Sequence, residues 1–147
     1  MHAGEYAWAR AAWIEWASQN GHFYREIARV TRPGGRLLFH DIFRGDGGPL
    51  HYPVPWAEEP SISFLATPGE VRRTLEDLGF VIRDWVDKTE ASLGWIAAAI
   101  ERIKASGSPP LGTHLLMGDT AKTKFENVIR NLREGRFVVY QAHAEKR

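Results

Sequence analysis

FYREIARVTRPGGRLLFHDI, residues 23–42, carries a helix, a forced stop and a strand in quick succession. Phe23, Ile27 and Val30 recur at helical spacing, so residues 22–31 read as a helix with one apolar face. Arg32-Pro33-Gly34-Gly35 ends it, because Pro33 disfavours helix at Arg32 and the glycines admit a positive φ. Residues 36–43, RLLFHDIF, open almost wholly apolar, the pattern of a short strand buried on both faces. A helix that stops on glycine and feeds such a strand is one step of a layered α/β fold.

The same alternation continues downstream. Thr67-Pro68-Gly69-Glu70 is a helix start, with Thr67 as N-cap, Pro68 at the first helical position and Glu70 placed for a capping box. That helix runs to about Leu78, Gly79 ends it, and Phe80–Val86 follows as a strand. Residues 88–105 read as a helix with Leu93, Ile96, Ile100 and Ile103 on one face. A polar break, SGSPPLG at 106–112, separates it from a helix over 119–133, with Asp119 as N-cap and Gly135 past its end. Arg136–His143 is the last strand. Upstream, residues 5–18 are Ala-rich with Trp8, Trp13 and Trp16, a helical stretch that Asn20-Gly21 breaks. The fold class is α/β, with three main strands and flanking helices.

Composition narrows the function. The 147 residues suit one domain, and 44% hydrophobic with 25% charged residues suits a globular one. A net charge of +1 supplies no field for nucleic acid or an anionic membrane surface. No apolar run reaches the roughly 18 residues of a membrane helix, and with no basic region before an apolar core at the N-terminus a signal peptide is not expected. There is no cysteine, hence no disulfide framework or thiolate site, which fits a reducing cytoplasm. The six histidines show neither i,i+4 pairing on a helix nor an HExxH pattern, so no metal is expected.

Residues 23–42 resemble the helix, basic-Pro-Gly-Gly turn and fifth strand of class I S-adenosylmethionine-dependent methyltransferases. TPGEVRRTLEDLGFVIRDW, from Thr67, is similar to the next helix and sixth strand, and the end of the chain to the antiparallel seventh strand. Pro53–Ala57, PVPWA, and Leu111–Gly118 resemble small-molecule enzymes of the sarcosine/dimethylglycine and ubiquinone/menaquinone type. The resemblance covers residues 22–147, with residues 1–21 a divergent helical segment. It implies the C-terminal half of a Rossmann-like domain, strand order 5-7-6, S-adenosylmethionine as cofactor and a small-molecule acceptor.

The family binds that cofactor through a Gly-rich turn after its first strand, and no GxGxG follows a strand here. Gly45-Asp46-Gly47-Gly48 is Gly-rich, yet it precedes a Pro-rich loop rather than a helix. The chain is therefore expected to be an acceptor-side half that does not bind cofactor alone. In the family the fifth strand has a neighbour on each side, so the edge at Leu37–Ile42 is expected to need cover. A second copy, the missing N-terminal half or the Trp-rich first helix would each supply it.

Ligands of open α/β sheets gather at the carboxyl ends of strands, which singles out His40 and Asp41 as facing an acceptor. The bland alternative is a strand-end turn in which Asp41 caps nearby amides. Residues 44–66 form a connection beyond the usual 12–15 or so, carrying Tyr52 and Trp56. These would form an aromatic wall or a cation–π surface, or simply plug the core beneath the loop. His114 and Met117 lie in a segment that runs close to the acceptor in similar enzymes, with plain packing as the alternative. The charges of 119–134, Lys122, Lys124 and Arg130 among them, read as a solvated helix face.

Overall fold

In a computed structural model of the protein, residues 20–107 and 117–147 are described. The Trp-rich stretch, most of the 106–112 break and His114 lie outside them. The elements are α1 (Asn20–Val30), β1 (Arg36–Arg44), α2 (Pro68–Asp77), β2 (Phe80–Asp87), α3 (Thr89–Ser106), α4 (Ala121–Arg133) and β3 (Phe137–Lys146). Single 3-10 turns stand at Pro60–Ile62 and Gly118–Thr120.

The three strands form one sheet in the order β1-β3-β2, with β3 antiparallel to both neighbours. This is the order expected from the sequence. β1 pairs with β3 along its whole length, from Arg36 opposite Glu145 to Arg44 opposite Phe137. β2 pairs from Phe80 opposite Lys146 to Asp87 opposite Tyr140, with one irregularity between Ile82 and Asp84.

Side chains alternate across the sheet and give it two differently covered faces. On one face, Phe43, Phe80 and Ala144 pack with Val71 and Leu75 of α2 and Ala28 of α1. Phe39, Phe43, Trp85 and Tyr140 bridge all three strands as an aromatic group; Phe39 meets Trp85 edge-on at 5.7 Å and Phe43 meets Tyr140 at 6.0 Å. On the other face, Phe137 and Val139 pack beneath Val128 and Leu132 of α4, with Leu93 and Ile96 of α3 alongside.

The Thr67 cap forms as its residues dictate. Its hydroxyl accepts from the Glu70 amide and the Glu70 carboxylate accepts from the Thr67 amide, a reciprocal capping box. Gly79 and Gly135 end α2 and α4 at φ +86° and +63°, the left-handed region that a side chain disfavours.

Four sequence expectations change. α1 turns Ala28, Tyr24 and Ile27 to the core, while Val30 is 68% and Phe23 38% exposed, so the buried face is rotated from the one the spacing suggested. β1 is not buried on both faces: Leu38 is 69% exposed and His40 exposed, since the helices on that face cover only the Phe43 end. Asp119 does not cap α4; it sits in the preceding 3-10 turn, and Thr120 stands at the cap without a side-chain bond. Lys124 is not solvated but only 4% exposed, because a loop lies across that side of α4.

Candidate functional site

The loop after β1 runs along α4, and α4 holds it with a polar stripe. Lys124, Asn127 and Asn131 fall on one side of the helix at spacings of three and four. Asn131 is fully buried; its amide nitrogen donates to His51 O at 3.0 Å and its oxygen accepts from His51 N at 2.8 Å. It thereby pairs the loop backbone as a neighbouring strand would. Asn127 Nδ2 donates to Pro53 O at 3.0 Å, beside the cis Tyr52–Pro53 peptide. Lys124 Nζ donates to the Glu58 carboxylate and, at 3.2 Å, to Met117 O. The loop closes on itself through a bridge between Val54 and Ala57, both fully buried or nearly so.

Just past α4, Glu134 gathers two arginines and a histidine. Its carboxylate accepts from Arg136 and from Arg130 Nε at 2.9 Å, and meets His51 Nε2 at 2.8 Å. The Arg136 bond first, then His51 and Arg130, pull its carboxyl down to about 2. Arg136 also donates to Pro49 O, so the start of the loop is tied to the same turn.

The Gly-rich turn is spent on this junction. Gly45 N donates to Arg136 O at 3.0 Å and Gly47 N to Gly135 O at 2.9 Å. A Cβ on Gly45 would overlap Gly135 O, and one on Gly47 would overlap Glu134 O. These glycines serve backbone approach within the chain, so the turn has no cradle left for a ligand.

Of the six candidate residues, His114 lies outside the described residues and the other five divide between two regions. Tyr52 and Trp56 are half-buried on the loop; Trp56 donates from Nε1 to Ser63 Oγ at 3.2 Å and stands edge-on to Phe137 at 5.4 Å. Met117, half-buried, joins them through Lys124. His40 and Asp41, adjacent in β1, point to opposite faces and pair in register with Gln141 and Tyr140. Asp41 Oδ1 accepts from Ile42 N at 2.8 Å, the amide-capping arrangement foreseen as the bland alternative. Removal from water raises its carboxyl above the usual range, more than the Ile42 amide and His40 lower it. Tyr24 of α1 lies near enough for the Asp41 charge to add to the desolvation that pushes its phenol up.

Sequence reasoning missed Glu58, Lys124, Asn127 and Asn131. Polar residues at 124, 127 and 131, beside apolar Val128 and Leu132, were the available signal. Among the described residues, no group of three or more His, Asp or Glu is placed to hold a metal ion, and no helix is long and apolar enough to cross a membrane.

Comparison with known proteins now bears on this arrangement. No family model matches. Among curated proteins, 56 residues are 38% identical to the sarcosine/dimethylglycine N-methyltransferase of Halorhodospira halochloris, covering 38% of this chain and 20% of that protein. Among solved structures, phosphoethanolamine N-methyltransferase 2 of Haemonchus contortus superposes with a TM-score of 0.65 at 14% identity, over 86% of this chain and 30% of that one. A cyclopropane synthase from Mycobacterium tuberculosis gives 0.59 at 16%, over 88% and 50%. This is the fold of part of a class I methyltransferase domain. The chain thus spans about a fifth of the curated methyltransferase it matches. The sheet order β1-β3-β2 agrees with the 5-7-6 order that the sequence resemblance implies for such a domain.

Proposed function

We propose that this chain is the acceptor-side half of a small-molecule methyltransferase that uses S-adenosylmethionine, and that it does not bind the cofactor alone. The observation that carries the reading is the loop at the carboxyl end of β1, held in a defined shape by Asn131, Asn127 and Lys124. Binding sites of open α/β sheets form at strand carboxyl ends, and a rigid loop there suits acceptor positioning. Methyl transfer depends chiefly on alignment of the acceptor, so a fixed aromatic wall of Tyr52 and Trp56 is a fitting contribution. An amine acceptor, as in the sarcosine/dimethylglycine enzyme, would find cation–π contacts there. The cofactor turn is the missing part, since Gly45 and Gly47 pack against Gly135 and Glu134. The lack of cysteine suits work in the cytoplasm.

Calorimetric titration of the purified chain with S-adenosylmethionine tests this. No heat of binding is expected; saturable micromolar binding would overturn the half-site reading.

A second reading, a non-enzymatic module that associates through β1, is favoured by one observation. Leu38 is 69% exposed on a strand whose outer edge has no neighbouring strand among the described residues. In this reading a second copy, or a chain carrying the other half of the fold, pairs with the edge at Leu37–Ile42. Light scattering across a concentration series distinguishes them: a mass that stays monomeric counts against self-pairing.

A further inference from the structure

The two aromatic candidates of the loop after β1 serve different ends. Trp56 belongs to the fold. Its ring stands edge-on to Phe137 and packs with the Val128, Leu132 and Val139 group, and its Nε1 donates to Ser63 Oγ at 3.2 Å. Tyr52 is also half-buried, yet among the described residues it joins neither apolar core group, meets no other ring and makes no hydrogen bond. Its hydroxyl is not shut away from water either: among the described residues, only His143 Nε2 is a buried side-chain atom without a partner.

What holds Tyr52 is the backbone on either side of it. Asn131 takes the N–H and C=O of His51, and Asn127 takes the C=O of Pro53. The side chain between those clamps is held out by them and used by neither. A tyrosine ring has few torsions to lose, so a ring rooted in fixed backbone gives up little entropy when a ligand settles on it. A ring that served to plug the core would show core contacts, as that of Trp56 does.

We propose that Tyr52 is the specificity-determining contact of the acceptor site, taking a methylated ammonium group on its ring face, while Trp56 shapes the loop and does not select. The proposal rests on the acceptor-side reading above and divides its aromatic wall into a contact and a support. The acids that the clamp uses, Glu58 and Glu134, are already answered by Lys124 and by Arg130 and Arg136. Attraction for a cation therefore falls to the negative face of the ring, which favours a charged nitrogen over an uncharged group of the same shape.

The test uses the full chain, tetramethylammonium as the probe and the magnetic-resonance shifts of the loop amides as the readout. Tetramethylammonium is expected to shift the amides around Tyr52 saturably, and tert-butyl alcohol, an uncharged group of similar shape, is not. Tyr52→Ala should bind the probe about tenfold more weakly, the loss of one cation–π contact, and Tyr52→Phe should stay close to the parent. The urea midpoint should be unchanged in Tyr52→Ala and lowered in Trp56→Ala. Equal affinity in the parent and Tyr52→Ala, no saturable shift in the parent, or an equal response to both probes would overturn the proposal. So would a midpoint lowered by Tyr52→Ala, which would make the ring a plug of the fold. If Trp56→Ala does not fold, the Tyr52 variants still decide. Cofactor binding by the chain alone would sink the half-domain reading and leave the Tyr52 result standing; probe binding untouched by Tyr52→Ala would do the reverse.

Discussion

The two ends of β1 meet opposite fates. At its carboxyl end the chain runs into a loop whose backbone is held by Asn127 and Asn131, and whose Glu58 meets a buried lysine. At its amino end Leu38 faces water, and the backbone edge of 36–40 has no partner strand among the described residues. Where side chains reach back to the backbone, the shape is fixed from within; where they do not, it waits on whatever comes alongside. The contrast places the clamped loop and the unpaired stretch on one strand, about 26 Å from end to end at the usual rise for nine residues.

Removing the chief backbone clamp should damage the fixed end most. Asn131→Ala strands both backbone polar groups of His51 and is expected to cost about 2–6 kcal/mol in urea unfolding, at roughly 1–3 for each buried group left unpaired. A loss under about 1 kcal/mol would mean that the loop is held by something else.

The ion pair should prove asymmetric. Glu58→Ala leaves the Lys124 ammonium buried with only Met117 O, an expected loss of about 3 kcal/mol. Lys124→Met leaves Glu58, 47% exposed, free to take up water, and should cost about 1 kcal/mol. Equal losses would show that Lys124 gains little from its burial.

Glu134 ties the same end to pH. Its carboxyl is lowered to about 2 from 4.5, so its stabilisation is fully present above 4.5 and is lost as pH falls toward 2. Thermal melts between pH 5 and 2 should show a steeper fall for the parent than for Glu134→Gln; parallel curves would discount the cluster.

The smallest effect is expected at the other end. Leu38→Lys, on an exposed site of an edge strand, should change stability by no more than about 0.5 kcal/mol. A markedly larger loss would mean that Leu38 is covered in solution.

Much of this fold was legible because its punctuation is local. The Thr67–Glu70 box, the glycines at 79 and 135, and the strand order all follow from residues read in place or from the likeness of their succession to one family. The α4 stripe was not legible. A charged and polar run on an amphipathic helix looks the same whether it faces water or another segment's backbone, and a backbone has no letters of its own. Lys124 was misread for that reason. The exposure of Leu38 was hidden by a different cause: an apolar run says that a strand can be buried, not that the covering helices extend far enough.

Asn131 grips position 51 by its N–H and C=O alone, and Asn127 takes only the carbonyl of position 53. Neither asparagine reads the side chain of the residue it holds. At those two positions the loop's path is thereby uncoupled from the side chain, and a substitution at Tyr52, between them, can retune what the loop touches without removing either clamp.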